Sequence, residues 1–538
     1  MISNVSIDDT TANDPVALFT QVSSSGSISD LNLSNFGVVG TGSDTGSGCE
    51  GVTGGLVAKN LGLLSNNSLT SSTVSAQLSG TSCDYSATVH SYLGGLVAHN
   101  EGAVKGSYSS AAVTSALAAS YVGGLIGFND YEDTVSGSAA VSNSYATGAV
   151  SGTGSLGSPT VYCIGGLIGY DSLGAVSNSY ATGAVSGNSN DNTGGLIGWN
   201  VQADISGSHA TGGVSDASGI LGGLIGYNTV LLTSPAIFTI LNSYATGSVT
   251  GISNHGYDDN TAGGLIGFNS GGNIGGEIGS VYDIVWATGA VSIPFTDTYA
   301  GGLVGQNHLS PTGIGARIEY AYATGSVSGG ATMGSLVGLN SGGTILQSFA
   351  TGFLTTNSAL EIGGLVGLNV SDGSYPATVT DSYSLGTVTN DGSGGDTGGF
   401  VGENYYLMGT AVATTATSYE VGTVTASYGT CSGEYVGAGA TDKGYMSGLN
   451  TYAYYDNTNN YNSLPGAGCP SGDSGISELP SSGVPSGFST SIWGWASGTN
   501  CGYPYLLHVP PGTTCEGAES FKRKQKATRQ ERPSASTR

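Results

Sequence analysis

A parallel all-β solenoid is the fold class this sequence predicts, and three observations predict it. The heptad Gly222-Gly223-Leu224-Ile225-Gly226-Tyr227-Asn228 recurs in near copies beginning at Gly54, Gly94, Gly123, Gly165, Gly194, Gly222, Gly263, Gly301, Gly334, Gly363 and Gly398. Steps of 28 to 42 residues between copies are the signature of like units stacked in a row. A second motif, Val-Ser-Asn-Ser-Tyr-Ala-Thr-Gly-Ala-Val-Ser-Gly, stands at Val141 to Gly152 and again at Val176 to Gly187, and looser copies follow the other heptads. The composition agrees: 94 of 538 residues are glycine and only 9% are charged, which suits closely stacked backbone and does not suit helices.

The fixed pieces are short, are bounded by Gly, Asn and Ser, and mix Val, Ile, Thr and Tyr with small residues. No stripe of 3.6-residue period runs through them, so they read as strands. Three short strands per unit predict one triangular coil per repeat, with coils in register about 4.8 Å apart. Insertions fall between the fixed pieces, as loops on a solenoid do. Within the heptad, strict alternation predicts that only one of Leu224 and Ile225 faces inward, and Leu varies less from copy to copy. The glycines are expected at tight corners and close approaches.

The last heptad position is Asn60, Asn100, Asn129, Asn200, Asn228, Asn269, Asn307, Asn340, Asn369 and Asn404, with Asp171 in the remaining copy. Asparagine tolerates the left-handed turn conformation and can hydrogen-bond to its own image one coil away, so these residues are expected to form a structural corner ladder. An aromatic column, Tyr108, Tyr145, Tyr180, His209, Tyr244, Trp286, Tyr322, Phe349, Tyr383 and Tyr419, accompanies the second motif. On an outer face such rings would form a platform for sugars; inside or at a corner they would fill the coil. The acceptance of Phe and His leaves no constant polar handle and favours the structural role.

The chain divides into residues 1–53, variant coils; 54–425, the repeat array; 426–521, aromatic and proline-rich coils and a cap over the last open coil; and 522–538, a basic disordered tail. Val16 to Val22 resembles the heptad with its glycines replaced, so the sequence reads as already within the array and as lacking a leading region. The tail holds seven bases against one acid, +6, which leaves residues 1–521 with four bases against 35 acids, −31. Such a body repels nucleic acid and anionic membrane surfaces and suits an exported protein. No apolar run is long enough to cross a membrane. Seven cysteines show no zinc-type spacing; disulfides are expected, with Cys49–Cys83 and Cys501–Cys515 the preferred pairs.

Catalytic constellations are sparse. No histidine is followed by glutamate, as a zinc peptidase motif requires, and Gly472-Asp473-Ser474-Gly475 resembles a serine-protease segment without a matching histidine context. Asn254, His255, Asp258 and Asp259, in the insertion that lengthens one unit, are the best candidate for calcium or for paired carboxylates acting on a glycan. Asp130, Glu132 and Asp133 form a second acidic loop. A solvated turn is the plainer reading of both, so neither a catalytic residue, a metal nor a cofactor is assigned.

The Gly-Leu-Ile-Gly core of the heptad, followed by the Val141 to Gly152 type of motif, resembles the GLUG repeat of bacterial surface proteins, including filamentous-haemagglutinin-like adhesins and accessory regions of some IgA-cleaving metallopeptidases. The resemblance covers roughly residues 16–506. It implies a right-handed parallel β-helix, an exported protein, and adhesion or surface attachment, with surface glycans, host or matrix proteins, or further copies of itself as partners. A carbohydrate-active β-helix enzyme is the alternative. Ice or mineral binding through Thr and Ser ladders is a weaker one.

Overall fold

The computed structural model describes residues 1–510 apart from 10–13, 44–50, 80–90, 118–119, 132–138, 154–162, 189–190, 232–237, 253–259, 279, 295–297, 358–359, 393–394, 407–410, 427–430, 434–435, 439–445, 448, 456–475 and 497–498. The unit beginning at Asp191 shows the plan. Its strands are Asp191–Gly194, Ile197–Val201, Ile205–Ser206, His209–Ala210 and Val214–Asp216. Each pairs in parallel with its copy one unit on: Gly194 with Gly222, Ile197 with Ile225, Ile205 with Ile240, His209 with Tyr244 and Val214 with Val249. The chain is a parallel β-helix.

Three sheets run along it. The first has 13 strands, from Pro15–Val16 to Cys431–Gly433; the second follows Phe19–Val22 to Val436–Ala438. The third, the wall, takes three short strands from the central coils, where a single third strand was expected; towards the ends two of them merge, as in Asn32–Ser43 and Thr414–Glu420. Two features break it. Two residues before the aromatic the backbone is left-handed in four successive coils, at Asn143 (φ 50), Asn178 (φ 47), Gly207 (φ 57) and Asn242 (φ 47). Three residues after the aromatic a glycine column rises from Ala111 through Gly148, Gly183, Gly212 and Gly247, in which an added Cβ would lie within 2 Å of the carbonyl oxygen one coil back. Only glycine fits such a stack.

The heptad forms the elbow between the first two sheets. A Cβ on Gly194 would lie 1.9 Å from Ile197 O, and one on Gly198 would lie 2.5 Å from Ile164 N and 2.8 Å from Asn192 O. The two strands therefore approach backbone to backbone. Gly195 sits against the next coil, 2.0 Å from Gly223 O and 2.9 Å from Ala210 Cβ of the wall for the same hypothetical atom. No heptad glycine has a left-handed φ, so space and not conformation demands them.

Leu224 and Ile225 are both fully buried, against the expectation of one inside. Leucine occupies the bend and isoleucine starts the second strand, so alternation restarts between them. Second-sheet residues Ile197, Ile225 and Ile266 join Ile205, Ile240 and Ile274 of the wall in one cluster. First-sheet residues Leu221, Ala262, Ala300 and Met333 join Val249, Val291 and Val327 in another.

The array extends past the eleven heptads at both ends. Val16 pairs with Thr53 and Phe19 with Val57, so an elbow shortened by one residue precedes the first glycine pair. Beyond Thr425, Gly433 pairs with Gly398, Val436 with Val401 and Leu449–Tyr455 with Thr414–Glu420, making a further coil. The described C-terminal segment adds the strand Ile476–Glu478 beyond Ala453–Tyr455 of the last coil and then lies along the flank of the wall. Phe488, Trp493, Leu506 and Val509 are buried against Phe349, Tyr383, Tyr419 and Tyr454. The wall is apolar there: Leu385 and Val421 occupy the place that Thr147, Thr182 and Thr211 hold in earlier coils.

Because a Cβ at Gly223 would stand 2.0 Å from Gly264 O, while one at Gly213 would meet nothing nearer than 3.5 Å, the two glycines should differ sharply. Gly223→Ala should destabilise by about 2 kcal/mol or more through overpacking, and Gly213→Ala by less than about 1 kcal/mol. Chemical denaturation of the two variants side by side measures this, and equal midpoints would remove the steric account of the elbow.

Candidate functional site

The heptad asparagines face inward from the second sheet, none more than 5% exposed. Each carboxamide Nδ2 donates to Oδ1 of the next: Asn60 to Asn100 at 2.7 Å, Asn100 to Asn129 at 2.7 Å, Asn200 to Asn228 at 2.7 Å and Asn228 to Asn269 at 2.7 Å. The series continues through Asn307, Asn340, Asn369 and Asn404 at 2.8 to 2.9 Å. The second amide hydrogen is used at home, as in Asn100 to Gly102 O at 2.9 Å and Asn340 to Gly343 O at 3.0 Å. In Asn60, Asn100, Asn129, Asn200, Asn269, Asn340 and Asn369 both donors are committed in this way, so these side chains hold neighbouring coils and have no amide hydrogen left for a ligand. Their backbone is not left-handed; that conformation belongs to Asn143, Asn178 and Asn242 of the second motif.

The aromatic column stands on the outer face of the wall. Tyr108, Tyr145, Tyr180, His209, Tyr244 and Trp286 stack with centroids 4.5 to 5.0 Å apart and planes within 9° of parallel. Tyr322, Phe349, Tyr383 and Tyr419 carry it on at 4.8 to 6.0 Å. Each interior ring face is covered by its neighbour, so edges and not faces point outward. A sugar ring stacks on a face. The column thus lacks the free faces that a carbohydrate platform needs along its length.

From Phe349 onward the C-terminal segment covers the column: Trp493 lies 6.0 Å from Tyr383 and 5.7 Å from Tyr419, and Phe488 meets Tyr454 edge-on at 5.5 Å. Asn500 Nδ2 donates to Tyr419 Oη at 3.0 Å, Tyr454 Oη donates to Ser486 O at 2.8 Å, and Trp493 Nε1 donates to Asp381 at 3.2 Å. His508 stacks on Tyr282 at 3.9 Å, where the inserted hairpin of Gly276–Ile278 and Val281–Asp283 meets the segment. Coils before this hairpin keep an open wall. Its aromatic edges are flanked by an exposed threonine rank, Thr147, Thr182, Thr211, Thr246 and Thr288, and by the hydroxyls of Ser151, Ser186, Ser215 and Thr250 in register.

A second aromatic rank was not anticipated. His99, Phe128, Tyr170, Trp199, Tyr227 and Phe268, the sixth residues of consecutive heptads, run along the outside of the second sheet at 4.9 to 5.3 Å. Tyr92 and Tyr121 of the first sheet touch it across the elbow, with Tyr92 5.3 Å from His99 and Tyr121 5.6 Å from Phe128. The signal was present: position six is aromatic or histidine in six successive copies.

Titratable groups inside the array are few. Burial pushes the Asp216 carboxyl up to about 7, opposed by the Thr193 hydroxyl, which donates to it at 2.7 Å. Burial likewise raises the Cys163 thiol, which forms no disulfide. Glu101 is paired with Lys59 at 2.6 Å. Among the described residues no three His, Cys, Asp or Glu side chains gather as a metal site would require. Asn254, His255, Asp258, Asp259, Glu132, Asp133, Cys49, Cys83, Cys515, Asp473, Ser474, the 522–538 tail and the side chain of Cys501 lie outside the described residues. Among the described residues no helix is long and apolar enough to cross a membrane.

Asn228→Ala should orphan the Nδ2 of Asn200 and the Oδ1 of Asn269 at once. A loss of about 2–4 kcal/mol is expected in equilibrium unfolding, since each stranded buried group costs about 1–3 kcal/mol. A cost below about 0.5 kcal/mol would show that the ladder does not bind the coils.

No curated protein and no solved structure matches the chain. The family profile described as the GLUG motif matches residues 118–151, which hold the elbow at Gly123 and the wall segment from Val141 to Ser151. That stretch is one turn of the helix, repeated in register on either side of it. One turn of the chain thus carries the GLUG motif, and turns in register with it stack as a parallel β-helix.

Proposed function

We propose that this chain is an extracellular, non-enzymatic β-solenoid that serves as a surface stalk or fibre subunit and attaches through its outer wall and inter-coil loops. The observation that carries this reading is the uneven treatment of one wall. Coils from Phe349 to Tyr454 are closed by the chain's own C-terminal segment, over apolar residues such as Leu385 and Val421. Coils from Tyr108 to Trp286 keep the same aromatic column open, with Ser110 and then threonine in that place. The open stretch carries hydroxyls and ring edges and is nearly free of charge in a body of −31. A hydroxyl-rich, neutral contact fits uncharged surface glycans or polar matrix proteins better than nucleic acid or an anionic membrane.

The exposed threonine rank also favours a second reading, binding to an ordered water lattice. Both follow from one experiment on the full chain and on the triple variant Thr182→Glu, Thr211→Glu and Thr246→Glu. A glycan and matrix-protein panel should show binding by the wild type that falls at least about tenfold in the variant, about 1.4 kcal/mol, with the β-sheet circular dichroism unchanged. Thermal hysteresis lost in the variant would move the assignment to ice. Binding equal in both proteins would remove the wall from the function, and release of reducing ends from polysaccharides would replace attachment by catalysis.

A further inference from the structure

The carboxamide ladder has one discontinuity. Asp171 stands where the other heptads place asparagine, fully buried, and its Oδ1 accepts from Asn129 Nδ2 at 2.8 Å. Its register partner one coil on is Asn200. Both amide hydrogens of Asn200 are committed elsewhere, to Asn228 Oδ1 at 2.7 Å and to Ala203 O at 3.1 Å. Asp171 Oδ2 and Asn200 Oδ1 are therefore left at the step between these two coils, both buried and both without a hydrogen-bond partner. At every neighbouring step an amide N–H fills that place. Two oxygen acceptors set against each other in a dry stack would leave both unsatisfied, at a cost that native interiors avoid.

We propose that Asp171 is held protonated in the folded array and donates its Oδ2–H to Asn200 Oδ1, so that one hydroxyl rung completes an amide ladder and makes this coil junction sensitive to pH. The surroundings agree. Burial raises the Asp171 carboxyl well above the carboxylate range; the hydrogen bonds from Asn129 and from the Gly174 backbone oppose this, and Asp130 on the preceding strand reinforces it. Tyr170 on the same strand is the other titratable group that interacts with this carboxyl, and burial together with Cys163, Asp130 and Asp171 keeps its phenol protonated. The described lysine and arginine side chains, Lys59, Lys105 and Arg317, belong to other coils, and His209 of the Asn200 coil stands in the aromatic column on the outer face of the wall. Loss of the proton would place a carboxylate beside a carbonyl oxygen with no cation to answer it.

The sign of the effect follows from linkage. A carboxyl whose folded value lies above its unfolded value, near 3.9, contributes stability that is fully present below the unfolded value. That contribution drains as pH rises through the folded value, above which it is gone. Asp171→Asn replaces the hydroxyl by an amide and restores the pattern of every other rung. Thermal midpoints of the full chain and of D171N between pH 4 and pH 9 should nearly coincide at the acid end. They should diverge as pH rises, with the variant higher by about 2 °C or more at pH 8. The infrared difference spectrum, wild type minus D171N at pH 8, should show the C=O stretch of a protonated carboxyl; Asp216 is common to both proteins and cancels. A midpoint difference that does not change with pH, or an ionised-carboxylate band in place of the acid band, would overturn the proposal.

Discussion

At the elbow two backbones meet with no side chain between them, and most of the remaining architecture is a consequence of that contact. Gly194 and Gly198 face each other's strands at distances no Cβ could occupy, and Gly195 rests on its successor's carbonyl and on an alanine of the wall. With no side chain between, the first two sheets close on one another. Leu196 at the bend is then driven inward with Ile197, and the sixth residue is turned out beside the first sheet. A single methyl at any of these glycines would push apart strands paired above and below, so the disturbance would spread along the stack. The glycines hold their places for lack of room, which is why a residue type poor in both helix and strand propensity dominates a strand-built protein.

Repetition turns weak contacts into a framework. Coil after coil repeats the same polar and aromatic contacts, and the ladder and the column each hold neighbouring coils in register. A carboxamide is suited to the interior line because it donates and accepts in equal measure, so an unbroken row satisfies itself. One carboxyl in that row has an acceptor too many and a donor too few, and a proton makes up the difference. The aromatic line obeys another rule: parallel stacking at the coil repeat buries ring faces and exposes edges, which gives the wall a hydroxyl-bearing character over the open coils. Where a covering segment arrives, the character changes by two substitutions, Leu385 and Val421, and the segment seats Trp493 over the rings.

The strand-built repeat was legible because its constraints act at short range and recur. Gly-Gly-Leu-Ile-Gly and its near copies spell out a close approach eleven times, and the asparagine that usually ends the heptad spells out a ladder. The burial of both Leu224 and Ile225 was not legible, since alternation along one strand cannot show where the strand bends. The same ignorance of the bend hid the outer rank from His99 to Phe268, although its aromatic spacing was in plain view. Asn143 and Asn178 adopt the left-handed conformation that was assigned to the heptad asparagines, because a turn at that point and not residue type selects it. The candidate acidic loop around Asp258 lies outside the described residues, so the functional reading rests on the wall.

By itself the sequence determined the class of fold, the period, the neighbours that each residue would meet one coil away, and the sign and placement of charge. Those are properties of a one-dimensional repeat, in which the partner of residue i is its own copy. The tertiary structure alone decided which residues meet across the coil: which oxygen of Asp171 is left over, which edges of the tyrosines remain open, and that Trp493 returns to lie on Tyr383 and Tyr419 of much earlier coils. These contacts join unlike segments whose separation follows no period, and nothing in a repeat unit encodes them.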